Sequence, residues 1–260
     1  MGGRVWARHE GSLGWIVFDH PEHRNAISSE MWRQIPEATQ SLDANPEVRV
    51  IVLRGAGDTA FASGADISEF EQQRRGAAAA AYDVATGRAF DALADIAKPV
   101  LAMIHGPCIG GGLAISLGAD LRFAAQDAVF AIPAARLGLG YQASGVAALA
   151  RVVGLSAAKE LFFTARRCDA QRARELGLVS RVLPKLELEG FVREIAEQIA
   201  ANAPLTLRSI KQVTADLARD PAERDPAAIE ASIRACFESE DYREGVRAFL
   251  EKRSPVFRGR

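Results

Sequence analysis

Cysteine is scarce in this 260-residue chain, and its scarcity narrows the options. Cys108, Cys168 and Cys236 are far apart and odd in number, which suits neither a disulfide framework nor a close set of metal ligands. No metal and no redox cofactor is expected, and free thiols fit a reducing, cytoplasmic setting. No apolar run approaches the ~20 residues needed to span a bilayer. The opening Met-Gly-Gly-Arg-Val-Trp brings charge before any apolar core of the signal-peptide kind, so no membrane partner is expected. Neither sign of charge is in excess: 32 Lys and Arg against 33 Asp and Glu leave a net charge of −1. Nothing in that balance favours nucleic acid, although a local basic patch can still hold a phosphorylated ligand. No Gly-x-Gly-x-x-Gly follows the first strand, which argues against a dinucleotide-binding dehydrogenase.

What is present reads as an ordinary globular protein, with 48% hydrophobic and 25% charged residues. The length allows one large core, or one domain with a small appendage. Short β-branched or apolar segments predict strands at Leu13 to Phe18, Val48 to Leu53, Val100 to Ile104, Leu121 to Ala125, Ala128 to Ile132 and Leu178 to Leu183. Helical spacing predicts a helix from Ser28 to Leu42, with Ser28 or Ser29 as N-cap. A second, alanine-rich helix is predicted from Gly76 to Ile96, interrupted by Gly87. Gly106-Pro107 reads as a turn, and Gly110-Gly111-Gly112 leads into a short buried helix at Leu113 to Leu117. From Leu186 onward Glu, Arg, Ala and Leu dominate in helical patterns broken at Pro204, Pro221 and Pro226. The apolar stripe of Ile229 to Lys252 needs a partner surface to bury it. The expected division is an α/β core over residues 1–200 and a helical C-terminal part over 201–260.

Three segments carry a resemblance. Phe61-Ala62-Ser63-Gly64-Ala65-Asp66-Ile67 is a small-residue turn leading into Gly-Ala-Asp. Ile104-His105-Gly106-Pro107-Cys108-Ile109-Gly110-Gly111-Gly112 is a second glycine-rich turn. The tail runs Glu238-Ser239-Glu240-Asp241-Tyr242-Arg243-Glu244-Gly245 and then Ala248-Phe249-Leu250-Glu251-Lys252-Arg253. Together with His23-Arg24-Asn25-Ala26 and Ala170 to Val179, they resemble the crotonase (enoyl-CoA hydratase/isomerase) superfamily in order and over nearly the whole chain. The resemblance implies an α/β fold, a crotonase-like spiral of ββα units with a helical C-terminal trimerisation part. It implies an acyl-CoA thioester substrate, with CoA entering as part of the substrate rather than as a cofactor. It also implies a homotrimer or a hexamer built as a dimer of trimers.

The chemistry gives the two turns a purpose. A thioester attacked or deprotonated near its carbonyl develops negative charge on oxygen, and two backbone N–H groups aimed at that oxygen stabilise it. By analogy with measured oxyanion holes each is worth roughly 3–4 kcal/mol. Such donors approach closely only where side chains are small. Ala65 and Gly111 match the family's donors, and Gly111 also opens a helix whose positive end adds to the field. Taken alone, Ser63-Gly64-Ala65 is a plain tight turn and Gly110–Gly112 is close packing; the joint pattern favours the functional reading. The resemblance further implies that Arg24 and Ala26 line the groove for the CoA nucleotide, that Ser63 and Asp66 flank its adenine, and that Ile67 joins the residues binding the CoA thioester. Phe249 and Lys252 would reach it from a neighbouring subunit. Without the resemblance, Lys252 is a solvated charge and Asp66 a helix cap.

The chain departs from the hydratases where they do their proton chemistry. Those enzymes position and activate water with two glutamates, one after the triple glycine and one in a Pro-Glu pair. Ala114 and Ala134 stand at those positions here, and neither transfers a proton. Related isomerases place an acid slightly later, but Gln142 and Ala143 occupy that stretch. Leu137-Gly138-Leu139-Gly140-Tyr141 through Gly145-Val146, with Lys159 to Ala165 and the tail, is similar in parts to the methylmalonyl-CoA decarboxylases. That subgroup can retain an acid at the Ala114 position, so the match is incomplete. Losing CO₂ from a malonyl-type thioester yields the enolate with no base, and an apolar wall destabilises the departing carboxylate. Tyr141 would orient that carboxylate or return a proton to carbon; its plain reading is an aromatic packed at a loop. The expected reaction is decarboxylation of a short malonyl-type CoA ester. The alternatives are an enoyl-CoA hydratase or isomerase using an unfamiliar acid such as His105 or Tyr141, and an inactive acyl-CoA-binding subunit. His105 reads more simply as structural, and Cys108 as a small core residue without an activating partner.

Overall fold

The computed structural model describes residues 2–69 and 76–260, and of Ile67, Gly76 and Ala77 the backbone alone. Strands β1 (Arg4–Glu10) and β2 (Leu13–Asp19) form an antiparallel hairpin. Parallel pairing then carries β2 to β3 (Val50–Gly55), to β4 (Val100–Ile104), to β6 (Leu121–Ala125) and to β9 (Arg181–Leu183). A second, smaller sheet holds β5 (Pro107–Ile109), β7 (Val129–Ala131) and β8 (Cys168–Asp169). Single bridges extend it, Ala62 pairing with Cys108 and Ile27 with Ala65.

These pairings make a spiral. Each turn runs up a strand of the large sheet, steps across the small one and returns through a helix. β2 leads through Ile27 to α1 (Ser29–Ala44), and β3 leads through Ala62 and Ala65 toward α2 (Gly76–Ala94). β4 leads through β5 to α3 (Gly111–Leu117), and β6 leads through β7 to a 3₁₀ turn at Pro133–Leu137. The expected ββα spiral is the observed fold. Residues far apart in sequence are thereby stacked on the small sheet, where the functional turns lie.

Parallel strands covered on both faces need near-continuous apolar runs, and alternation divides this core in two. Ile16, Phe18, Ile51, Leu53, Ala102 and Ile104 face Met31, Trp32 and Ile35 of α1 and Leu93 of α2. Trp15, Val17, Val50, Val52, Leu101 and Met103 face Leu188, Val192 and Ala196 of α6 (Lys185–Ala200). Each fully buried large side chain contributes about 1.5–3 kcal/mol. Ser28 caps α1 as expected, its hydroxyl accepting from Met31 N at 3.3 Å.

The observed elements differ from the predicted ones in instructive places. β1 was not expected, because Arg4-Val5-Trp6-Ala7-Arg8-His9-Glu10 is half polar; an edge strand needs only one buried face. The turn expected at Gly106-Pro107 gives way at Pro107 to β5 (Pro107–Ile109), where proline sits at a strand's first residue. The strand predicted from Leu178 begins only at Arg181, because Leu178 and Val179 donate back to the Ala173 carbonyl after α5 (Ala170–Glu175). No helix was expected at α4 (Ala143–Thr164), whose apolar composition carries little periodicity and whose run is broken at Gly154, a residue at φ +80°.

The C-terminal helices α7 (Pro204–Leu217), α8 (Pro226–Glu238) and α9 (Glu240–Leu250) pack on one another, with Ser209 and Ser232 hydroxyls 3.0 Å apart. The Asp241 carboxylate accepts from the amides of Arg258 and Gly259 and folds the chain end back. Ile210, Phe237, Tyr242, Phe249 and Leu250 stay exposed along one groove. No helix among the described residues is long and apolar enough to cross a membrane.

Candidate active site

Backbone conformation builds the site before any side chain does. Gly110 has φ +51° and ψ −113°, and Gly64 has φ +111°, conformations that residues with a Cβ rarely adopt. The two turns nearly touch: a Cβ on Gly110 would lie 3.9 Å from the Gly64 Cα. Gly112 packs closer still, since a Cβ there would stand 2.4 Å from the Ala62 carbonyl oxygen. Small residues are required here because two segments of main chain cross.

The hydrogen bonds then single out two donors. Ala62 N bonds Pro107 O, Ser63 N bonds Arg24 O, and Asp66 N bonds Ile27 O at 3.0 Å. On the other turn Ile109 N bonds Ala62 O and Gly110 N bonds Ala131 O at 2.8 Å. The Ile27 bridge uses Gly64 O and Asp66 N, so the Ala65 N–H points away from it. Gly111 occupies the first position of α3, where an N–H has no helical acceptor. Among the described residues neither N–H has a hydrogen-bond partner, and both residues are partly accessible. A Cβ on Gly111 would fall 3.5 Å from the Ala65 nitrogen. Two uncommitted backbone donors therefore flank one small accessible space.

A sequence profile of the enoyl-CoA hydratase/isomerase family matches residues 8–260. The chain belongs to that family. Relatives agree along the whole length. The short-chain enoyl-CoA hydratase of Clostridium acetobutylicum is 31% identical over 244 residues, which is 94% of this chain and 93% of that protein. The peroxisomal Delta(3,5)-Delta(2,4)-dienoyl-CoA isomerase of Arabidopsis thaliana is 34% identical across 95% of this chain and 93% of its own. The crystal structure of an enoyl-CoA hydratase/carnithine racemase from Magnetospirillum magneticum superposes with a TM-score of 0.94 at 35% identity, covering 98% of this chain and 96% of that one. This enoyl-CoA hydratase/isomerase family member is thus similar to acyl-CoA enzymes in both sequence and shape.

Methyl groups stand at the two positions where glutamates were expected of a hydratase. Ala114, one turn into α3, is half-buried, and Ala134 in the 3₁₀ turn is buried. Trp32, which the sequence does not single out, packs beside Gly111. Its ring lies 3.1 Å from the place of a Gly111 Cβ, its Nε1 donates to the Tyr82 hydroxyl at 3.0 Å, and Phe90 packs edge-on 5.4 Å away. In the sequence Trp32 looks like one more core residue on α1; only the fold brings it to Gly111.

The segment expected to hold the CoA nucleotide is brought together. Ser63 Oγ donates to the His23 carbonyl at 2.9 Å, and Ser63 N to that of Arg24 at 3.1 Å. Arg24 is exposed and Ala26 buried, on either side of Asn25. Asn25 is 1% exposed; it accepts from His20 N and donates to the Ala56 and Ala60 carbonyls. That bracket fixes the whole turn. Burial alone would raise the Asp66 pKa, but bonds from Ser68 and His23 overcome it and hold the carboxyl below its ordinary value. The Ile67 side chain lies outside the described residues. Phe249 (83% exposed) lies on α9 and Lys252 just beyond its end, and among the described residues neither is hydrogen-bonded to this cluster.

Three remaining candidates find definite places. Tyr141 packs edge-on against Phe162 at 4.9 Å and over Gly145, both on α4, and burial pushes its hydroxyl up to about 12. It stays a neutral hydroxyl at ordinary pH. His105 follows Ile104 in the alternation and so turns to the α6 side of the sheet. Burial first, and then Arg54 and Lys185, lower its pKa to about 4. A neutral histidine on the far face cannot serve the space between Ala65 and Gly111. Cys108 is fully buried and its thiol is pushed up to about 12 by that burial.

Proposed function

We propose that this enzyme binds a short acyl-CoA thioester with its carbonyl oxygen between the Ala65 and Gly111 N–H groups and stabilises the enolate. The reaction proposed is decarboxylation of a malonyl-type ester. The observation that supports it is the pair of free, neighbouring backbone donors at Ala65 and Gly111, in a chain that has alanine at residues 114 and 134 where glutamates were expected of a hydratase. Donors of this kind stabilise an enolate however it forms, each by roughly 3–4 kcal/mol. Departure of CO₂ leaves the electron pair on the α-carbon and carbonyl oxygen without any proton transfer, so the missing glutamates are no handicap. A glutamate facing the substrate carboxylate would instead repel it. Tyr141, kept neutral, is able to donate a hydrogen bond to the carboxylate. Arg24, Ala26, Ser63, Asp66 and Ile67 take the nucleotide end in this reading, with Phe249 and Lys252 completing it from a second copy in a trimer.

A second reading has its own support: the similar proteins carry hydratase, dehydratase and isomerase names. On that reading the enolate forms by water addition or double-bond migration, with a proton carrier other than residues 114 and 134. Parallel incubation of the purified protein with methylmalonyl-CoA and crotonyl-CoA, read by mass spectrometry, separates the two. Loss of CO₂ from the first with the second untouched supports decarboxylation. Water gained by crotonyl-CoA overturns it. Binding of both without change points to an inactive acyl-CoA-binding subunit.

A further inference from the structure

Beside the Ala65 turn, three side chains with metal-binding chemistry converge from distant parts of the sequence. His20 follows β2, His23 lies in the next turn and Asp66 follows Ala65; one ligand atom from each lies within 4.8 Å of the others. We propose that His20, His23 and Asp66 form a divalent transition-metal site of the zinc, cobalt and nickel class, tying the turn at residues 20–26 to the segment that carries Ala65. Cysteine count and local ligand spacing give no sign of such a site in the sequence. A set that joins His20 and His23 to Asp66, 43 positions beyond His23, has no spacing signature.

The details of each ligand fit. His20 Nδ1 lies 3.0 Å from the Ala26 carbonyl, and a carbonyl only accepts. Nδ1 therefore carries the proton and Nε2 keeps its lone pair, the arrangement by which an outer carbonyl orients a metal-binding imidazole. The ring is 7% exposed, and a Cβ on Gly3 would lie 2.7 Å from its Cγ, so packing holds it in place. Asp66 Oδ1 is occupied by the Ser68 amide and hydroxyl, which leaves Oδ2 facing His23 Nδ1 at 3.3 Å. Tetrahedral zinc with bonds of about 2.0–2.1 Å places its ligand atoms about 3.3 Å apart, so this pair already has the required spacing. His23 is half-exposed and stacked on His20 at 4.3 Å, and metal binding requires the three ligand atoms, now within 4.8 Å of one another, to draw closer. Asn25 makes the frame rigid through its three bonds. Two imidazoles and one carboxylate, with an open position toward solvent, suit zinc, cobalt or nickel rather than the all-oxygen sites of calcium and magnesium.

Asp66 also belongs to the segment assigned to the CoA nucleotide, so the test reads metal uptake rather than turnover, and its failure is distinct from failure of the assigned reaction. Tag-free, chelator-treated full-length protein is titrated with cobalt(II) while the visible d–d absorption is followed; thermal melts with and without zinc run in parallel. His23→Gln is the main variant because the ring is half-exposed, Asp66→Asn is the second, and His9→Gln is the control on the remaining exposed histidine. The expected result is a single cobalt per chain, with affinity lowered on the order of tenfold or more in His23→Gln and Asp66→Asn and unchanged in His9→Gln. Zinc should raise the melting temperature of the wild type and not that of His23→Gln. Absence of cobalt absorption, uptake indifferent to His23→Gln, or equal loss in His9→Gln would overturn the proposal. Those results would make His23 and Asp66 an ordinary ion pair and any uptake adventitious.

Discussion

Replacing Gly111 by alanine tests the role of the two turns with little risk to the fold. The new methyl would stand 3.5 Å from the Ala65 nitrogen and 3.1 Å from Trp32 Cζ2, inside the space assigned to the thioester oxygen. Gly111 has a helical conformation at the start of α3, so alanine is conformationally welcome there, worth at most ~1 kcal/mol. The tight approach to Trp32 offsets that gain. The two effects together should move the melting temperature by no more than about 3 °C for a domain of this size. Turnover is a different matter. Obstructing one donor costs roughly 3–4 kcal/mol of transition-state stabilisation, a fall in kcat of about 10²–10³. Gly112→Ala serves as the contrast, because its Cβ would lie 2.4 Å from the Ala62 carbonyl and must displace the turn itself. Thermal melts and a thioester turnover assay on the same preparations give both numbers. A Gly111→Ala protein that melts normally and keeps turnover within about threefold would refute the placement of the oxygen between Ala65 and Gly111.

Further predictions concern the surroundings of the site. His105 stays neutral to about pH 4 in the fold, whereas an unfolded histidine protonates near 6.5. Between those values the unfolded chain binds the extra proton, so stability falls as pH drops, by about 3 kcal/mol in all. Urea unfolding at pH 7 and pH 4.5 should show a shallower loss in His105→Gln, and an identical loss would place the pH dependence elsewhere. Asn25→Ala removes three buried hydrogen bonds and should lower stability by about 3 kcal/mol in chemical denaturation; a change below about 1 kcal/mol would mean that the turn at residues 20–26 holds without its bracket. Cys108 and Cys168 are buried, with thiols raised by burial to about 12 and about 11, so Cys236 should be the thiol that a disulfide reagent modifies in native protein. Rapid modification of Cys108 would contradict its place in the core.

Much of this architecture is legible in the sequence because the relevant signals are local. The buried parallel strand Val100–Ile104 is a continuous apolar run, Leu121–Ala125 is interrupted only by Arg122, and Ser28 announces α1 with a cap. The donor turns are legible for a different reason: close crossing of main chains demands glycine and alanine, and that demand is written at Gly64, Ala65 and Gly110 to Gly112. What escaped depends on contacts across the spiral. Trp32 meets Gly111 only because the fold brings α1 to the first residue of α3, and His105 is excluded only by the face onto which strand alternation turns it. β5 hides in what looks like a proline turn because its partner, Val129–Ala131, arrives twenty residues later. The grouping of His20, His23 and Asp66 escaped for the same reason, since Asn25 folds that turn against a segment forty positions on.

The central claim is that the enolate is held by backbone donors and formed without a protein carboxylate. The most direct test follows the α-carbon in D₂O. Wild-type protein is incubated with methylmalonyl-CoA and, separately, with propionyl-CoA, and the thioesters are analysed by mass spectrometry. The account predicts propionyl-CoA carrying a single solvent deuteron for each CO₂ lost, and no exchange into propionyl-CoA supplied as such, because no protein base stands ready to remove its α-proton. Exchange into supplied propionyl-CoA at a rate comparable with turnover would reveal a working base in the cleft. That result would contradict the account.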